Sequence, residues 1–175
     1  MIEARLARET DLPAVLELQR ANLSRNLPAE EVASQGFVTV EHTLEVLKQM
    51  HAISPSVVAV DGDALAGYAL VMPVECRTLL PILEPMFARL DALGVADYYV
   101  MGQICVARAY RGRGVFDLLY AAHRRELSAR WRRCVTEVAL RNGRSMRAHE
   151  RVGFQVIERY RDATDDWALL QWNWA

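Results

Sequence analysis

Apolar and polar residues alternate over residues 1–8, with Ile2, Ala4 and Leu6 on one face, which predicts an edge strand. Thr10-Asp11-Leu12-Pro13 then supplies a capping residue and a proline in the first helical turn. A helix is expected through about residue 22, with Leu12, Val15, Leu16 and Leu18 on one side. Leu44, Leu47 and Lys48 recur at helical spacing in a second, shorter helix over 41–51, which Pro55 ends. Residues 56–60 and 65–74 are two apolar, partly β-branched runs joined by Asp61-Gly62-Asp63, the clearest hairpin of the chain. Residues 77–94 read as an inserted helix, with Pro81 and Pro85 near its start, Gly94 past its end, and an apolar face that includes Leu80, Leu83 and Phe87. A buried strand follows over 98–106, and Gly102 within it predicts a bulge or a close backbone approach. After a glycine-rich turn at 111–114 come a helix over 115–130, a strand over 134–140, a helix over 144–152, and strands over 154–159 and 167–174.

One hairpin and one strand-turn-helix-strand unit in a chain that mixes both element types predict an α/β (α+β) class. The expected form is one domain over 1–175, built on a single mixed, mostly antiparallel central sheet of about six to seven strands flanked by helices. At 175 residues such a chain buries roughly 70% of the surface it exposes when unfolded. Its 52% apolar and 25% charged residues exclude a disordered or fibrous class. The first five residues mix acid and base with no apolar run behind them, and no stretch approaches the roughly 20 apolar residues of a membrane span. A cytoplasmic protein without a membrane partner is expected. Cys76, Cys105 and Cys134 are odd in number, far apart and outside metal-ligand spacings, so they are expected to be inert core thiols, with neither disulfide nor metal.

The net charge of -1 conceals an uneven distribution. Residues 108–151 hold twelve arginines against Asp117, Glu126, Glu137 and Glu150, a segment of +8 that leaves -9 for the remainder. Such clustering suits a phosphate-bearing ligand. Nucleic acid fits less well, because the whole chain is slightly acidic and lacks aromatic-basic interleaving. Within the basic half, Ile104-Cys105-Val106 leads through Arg111-Gly112-Arg113-Gly114 into a helix. Unpaired N–H groups and the partial positive charge of a helix start, with glycines that let a pyrophosphate approach, make an anion cradle. A Walker-type loop would need Gly-Lys before Ser or Thr, and a dinucleotide fingerprint would need a third glycine where Asp117 stands; both fail.

Downstream lies Asn142-Gly143-Arg144-Ser145-Met146-Arg147-Ala148-His149-Glu150-Arg151-Val152-Gly153-Phe154. Together the two segments resemble the GNAT acetyltransferase superfamily, whose coenzyme motif reads Gln/Arg-x-x-Gly-x-Gly/Ala and whose later motif reads Asn-x-x-Ser/Ala-x-x-x-Tyr-x-x-x-Gly-Phe. Arg111 and Gly114 match the first motif; Asn142, Ser145, Gly153 and Phe154 match the second. The resemblance implies acetyl-CoA as acyl donor and a primary amine of a small molecule or peptide as acceptor, attacked directly without a covalent enzyme intermediate. It implies that backbone amides of Arg111, Gly112, Arg113, Gly114, Val115 and Phe116 hold the pyrophosphate. Ile104, Cys105 and Val106 would pair with the pantetheine arm and offer an N–H to the thioester oxygen, where negative charge develops. Asn142 would hydrogen-bond that arm, and Ser145 would support the same wall.

Three positions depart from the pattern. Phe116 stands where the family favours glycine or alanine. His149 replaces the tyrosine that protonates the leaving thiolate, and is expected either to do so itself or to be a packed helix residue. Gly102-Gln103 stands where many relatives carry acids, which leaves Glu75 as the candidate base and Gln103 or Tyr98 to place a water. These departures also suggest a non-catalytic acyl-CoA-binding regulatory module. Trp167, Trp172 and Trp174 in the last strand suggest an interaction surface, and a homodimer is expected if that strand lies at the sheet edge.

Overall fold

The computed structural model describes residues 1–174. Seven strands form the sheet: β1 (Ile2–Leu6), β2 (Val57–Asp61), β3 (Ala64–Met72), β4 (Tyr98–Val106), β5 (Arg133–Ala139), β6 (Gln155–Arg161) and β7 (Asp166–Asn173), in the spatial order β1-β2-β3-β4-β5-β7-β6. All neighbours are antiparallel except β4 and β5. Among the described residues six α-helices accompany them: α1 (Leu12–Asn22), α2 (Ala29–Gln35), α3 (Leu44–Ile53), α4 (Glu84–Ala92), α5 (Val115–Leu127) and α6 (Gly143–Val152). The open, mixed sheet flanked by helices agrees with the expected class.

Helices α1, α3 and α4 cover one face, where Leu16, Met50 and Phe87 pack on Tyr68, Leu70 and Val100. Helices α5 and α6 cover the other, where Leu119, Tyr120 and Phe154 meet Ala69, Val71 and Tyr99. Gly67 lets α5 sit against the sheet, because a Cβ there would lie 2.8 Å from the Cys105 carbonyl oxygen and 3.2 Å from Val115. That seating brings the start of α5 to the end of β4.

Several expectations need correction. The helix expected over 77–94 is broken into two 3-10 turns, Val74–Leu79 and Pro81–Leu83, ahead of α4. Pro81 and Pro85 lack N–H groups, and Leu80, ahead of Pro81, is held off the helical region at φ -131, ψ 81. Asp11 does not cap α1 with its side chain; its carboxylate accepts from the Arg5 guanidinium at 2.7 and 3.1 Å and from the Arg8 N–H. The last strand is not an edge. β7 lies between β5 and β6, pairing with both. The premise for a homodimer therefore falls, and the aromatic residues cover the core: Trp172 packs against Phe154 and Trp174, and Trp174 against Tyr99.

Candidate active site

The site begins with a break in the sheet. β4 and β5 pair only at Tyr98–Arg133, Tyr99–Cys134 and Val100–Val135, and then diverge. At the fork the Thr136 hydroxyl donates to the Met101 carbonyl at 2.9 Å. Beyond it, the β5-facing edge of β4 has no strand partner, so its peptide groups line a groove and can pair with an extended ligand arm. A bulge in β4 accompanies the divergence: Ala69 pairs with Ile104 but Val71 with Met101, so Gly102-Gln103 holds the extra residue. The bulge expected at Gly102 is present.

At the open end of the groove, Gly112 (φ 74) and Gly114 (φ 77) take left-handed conformations that only glycine adopts readily. They turn the chain so that α5 starts with its first N–H groups unpaired and facing a cleft of about 490 Å³. Ile104, Cys105, Val106, Arg111, Gly112, Gly114, Val115, Phe116, Asn142 and Ser145 line that cleft, together with Arg144, Arg147 and Arg151 from α6. Arg113 points elsewhere, over the Tyr110 ring at 5.0 Å. The Arg111 side chain is also committed inward, donating to Asn22 at 2.7 Å and to Glu31 at 3.2 Å. It fixes α1 and α2 against the cradle, and only its backbone is left for an anion. Cys105 is buried with its thiol pushed up to about 12, which makes it an inert wall. Asn142 caps α6, its side-chain oxygen accepting from the Ser145 N–H at 3.3 Å.

The groove continues past the fork through a constriction lined by Gln103, Ile104, Ser145 and His149 into a pocket of about 190 Å³. Glu137 of β5 borders both. This half-buried carboxyl accepts a hydrogen bond from the Tyr160 hydroxyl, yet burial, reinforced by the charge of Asp162, lifts it to about 7. The sequence reading missed it. Its only signal was an acid in the middle of an apolar strand.

No family model matches the sequence, and no curated protein matches it. The fold, however, superposes on many solved structures. Ribosomal-protein-S18-alanine N-acetyltransferase from Escherichia coli matches 99% of this chain and 94% of its own at TM-score 0.70 and 15% identity. yncA of Salmonella typhimurium, solved with its cofactor acetyl-CoA, matches 99% of this chain and 94% of its own at TM-score 0.65 and 16% identity. The NatC complex bound to Gag peptide and CoA matches 99% of each chain at TM-score 0.67 and 17% identity. The chain has the GNAT acetyltransferase fold.

Within the GNAT frame, the remaining candidates fall into place or out of it. Glu75 is exposed on the 3-10 turn after β3 and lines none of the cavities described, so the fold does not bring it to the cleft. Gln103 is buried and engaged at both ends, accepting from the Tyr68 hydroxyl at 2.6 Å and donating to the Val40 carbonyl at 2.7 Å. It clamps the segment after α2 over the groove. His149 is buried among Phe116, Tyr120 and Phe154, and burial pushes it down to about 4, so it is neutral at pH 7. Its Nδ1 lies 2.8 Å from the Ser145 carbonyl, which fixes the proton there and leaves a bare Nε2 with no partner. A bare Nε2 has no proton to give a thiolate. Phe116 turns its ring to Tyr120 and His149, leaving its backbone in the cradle. All three cysteines are buried and free. Among the described residues, no cluster of His, Cys, Asp or Glu could hold a metal and no helix is long and apolar enough to cross a membrane.

Proposed function

We propose that the chain transfers an acetyl group from acetyl-CoA to a primary amine, with Glu137 as the base. The observation that carries this reading is the connection through the β4/β5 fork: an anion cradle at one end of a continuous groove and a half-buried carboxyl held near pH 7 at the other. The residues present fit the coenzyme. The α5 amides after Gly114 and the cations of Arg144 and Arg147 face the cleft where a pyrophosphate and further phosphate would lie, and the free edge of β4 matches an amide-bearing arm. The bound coenzyme supplies an activated acetyl thioester.

The chain's own residues supply position and a proton acceptor. An ammonium must lose a proton before its nitrogen can attack, and a carboxylate with a pKa near the working pH accepts that proton most effectively. Tyr160 holds Glu137 in place and favours its charged form. The unpaired β4 edge offers an N–H to the acyl oxygen as charge develops there; the C–N bond forms as the C–S bond breaks, and the departing thiolate takes its proton from water, since His149 has none to give. A binding-only module would not require a desolvated carboxyl at the inner end of the groove. Thiol release from acetyl-CoA with a panel of amines, compared between wild type and Glu137→Gln, tests the reading. Amine-dependent release that falls about 100-fold or more in the variant supports it; coenzyme binding without release under any amine favours the binding module.

A further inference from the structure

The inner pocket has two unlike halves. On one side stand apolar side chains of the broken insert, Ile82, Leu83 and Met86, facing Val100 and Met101 of β4. Leu83 and Met86 are buried, whereas Ile82 remains 53% exposed at the rim. On the other side are Glu137, Asp162, Asp165 and Arg141. Arg141 and Asp165 neutralise one another across 2.5 Å. Asp162 stays ionised, held down to about 2: burial works against its charge, but the Thr164 hydroxyl and the N–H groups of Thr164 and Asp165 outweigh it. The balance left is negative, concentrated beside Glu137, with no unpaired cation lining the pocket.

A third feature asks for a ligand. The indole N–H of Trp167, a residue only 8% exposed, lies close enough to Asp162 to favour its charge but has no acceptor in hydrogen-bonding geometry. A buried donor of this kind is normally satisfied. An uncharged oxygen on a ligand would do so.

Size sets the last limit. A cavity of roughly 150 Å³ holds a benzene ring, so about 190 Å³ admits one group of leucine to benzyl size with its amine and little else. From these features we propose, resting on the acetyltransferase reading, that the acceptor is a singly charged primary amine bearing one compact apolar group and an uncharged polar neighbour. A carboxylate beside the amine would face Asp162 and Glu137, and a polyamine would leave further charges against Ile82, Leu83 and Met86. Both are disfavoured. An amino-acid amide and the first residue of a peptide share the accepted chemistry.

The test compares phenylalanine amide, free phenylalanine, glycinamide, spermidine and a hexapeptide beginning with phenylalanine, each with acetyl-CoA. Phenylalanine amide is expected to exceed free phenylalanine, glycinamide and spermidine in kcat/KM by about tenfold or more, the scale set by one buried apolar side chain. The hexapeptide separates the sources: a higher kcat/KM than the amide assigns a peptide terminus, and an equal or lower one assigns the small molecule. Ile82→Asn changes an exposed position and should shrink the advantage over glycinamide severalfold. Asp162→Asn keeps the oxygen that caps the turn and should narrow the gap between amide and free acid. Preference for spermidine or free phenylalanine overturns the pocket assignment while leaving acetyl transfer standing. If no amine is turned over, transfer itself fails, and saturation-transfer NMR with coenzyme A present still decides the pocket: binding of the amide over the free acid supports it, and equal or no binding overturns it.

Discussion

Replacing Glu137 by glutamine removes a charge from the inner end of the groove while keeping the side chain's length and its ability to accept from Tyr160. Burial, with Asp162 adding to it, lifts this carboxyl from 4.5 to about 7 in the folded chain, so ionising it there costs roughly 3 kcal/mol more than in the unfolded chain. A folded-state pKa above the unfolded one means that the native protein holds the extra proton between about pH 4.5 and 7. Stability contributed by this group is therefore fully present below the unfolded pKa and lost as pH rises through the folded one. The glutamine side chain is neutral throughout. The variant is expected to melt with wild type near pH 4.5 and above it at pH 8, by about 6 to 12 °C at the 2 to 4 °C per kcal/mol usual for this size.

Tryptophan-fluorescence melts of both proteins at the two pH values read this difference directly. Other titrating groups, including His42, His123 and His149, are common to both proteins and cancel. In activity the signs reverse: wild-type kcat/KM should rise with pH through about 7 as Glu137 loses its proton, and the variant should lack that limb and fall by about 100-fold or more. A more stable and less active variant is what a desolvated catalytic carboxyl implies. If the melting difference is the same at pH 4.5 and pH 8, Glu137 is not desolvated. If the rate limb survives unchanged, the base lies elsewhere.

Tyr160→Phe removes the hydroxyl that favours Glu137's charged form, so the rising limb should move to higher pH with little change in the maximum rate; a fixed limb would leave Tyr160 without influence on the carboxyl. Coenzyme A at about 100 times its Kd should add about 2.7 kcal/mol of stability, a rise of about 5 to 10 °C. Gly114→Ala should reduce that rise and destabilise the free protein by about 1 to 3 kcal/mol, because φ is 77 at this turn; an undiminished rise would move the coenzyme site away from the α5 start. His42, His123 and His149 are each pushed from 6.5 to about 4 by burial, so their contribution is present above pH 6.5 and lost as pH falls toward 4. His149→Phe should flatten that acid decline and keep turnover within severalfold, and a loss near 100-fold would instead restore His149 as the acid.

What could be read from the sequence was local chemistry. The hairpin, the bulge at Gly102 and the glycine turn at 111–114 each depend on residues adjacent in the chain, and each lies where its residues predicted. Helix α2 was missed although Pro28, Glu30, Glu31 and Gly36 frame it, because its seven residues are too few to display a period. Glu75 and Glu137 show the deeper limit. Both were isolated acids near strands, and sequence favoured Glu75 because it follows the hairpin. Their difference arises from long-range pairing: the chain passes from β5 to the outer strand β6 before returning as β7 between them. This order carries Tyr160 of β6 across β7 to Glu137 and sets Asp162, in the β6–β7 turn, beside the same carboxyl. Without the inserted β7, neither neighbour would act on Glu137. The same inserted strand is why the tryptophans cover a core rather than an edge, so one topological fact sets both the surroundings of Glu137 and the failure of the argument for a dimer.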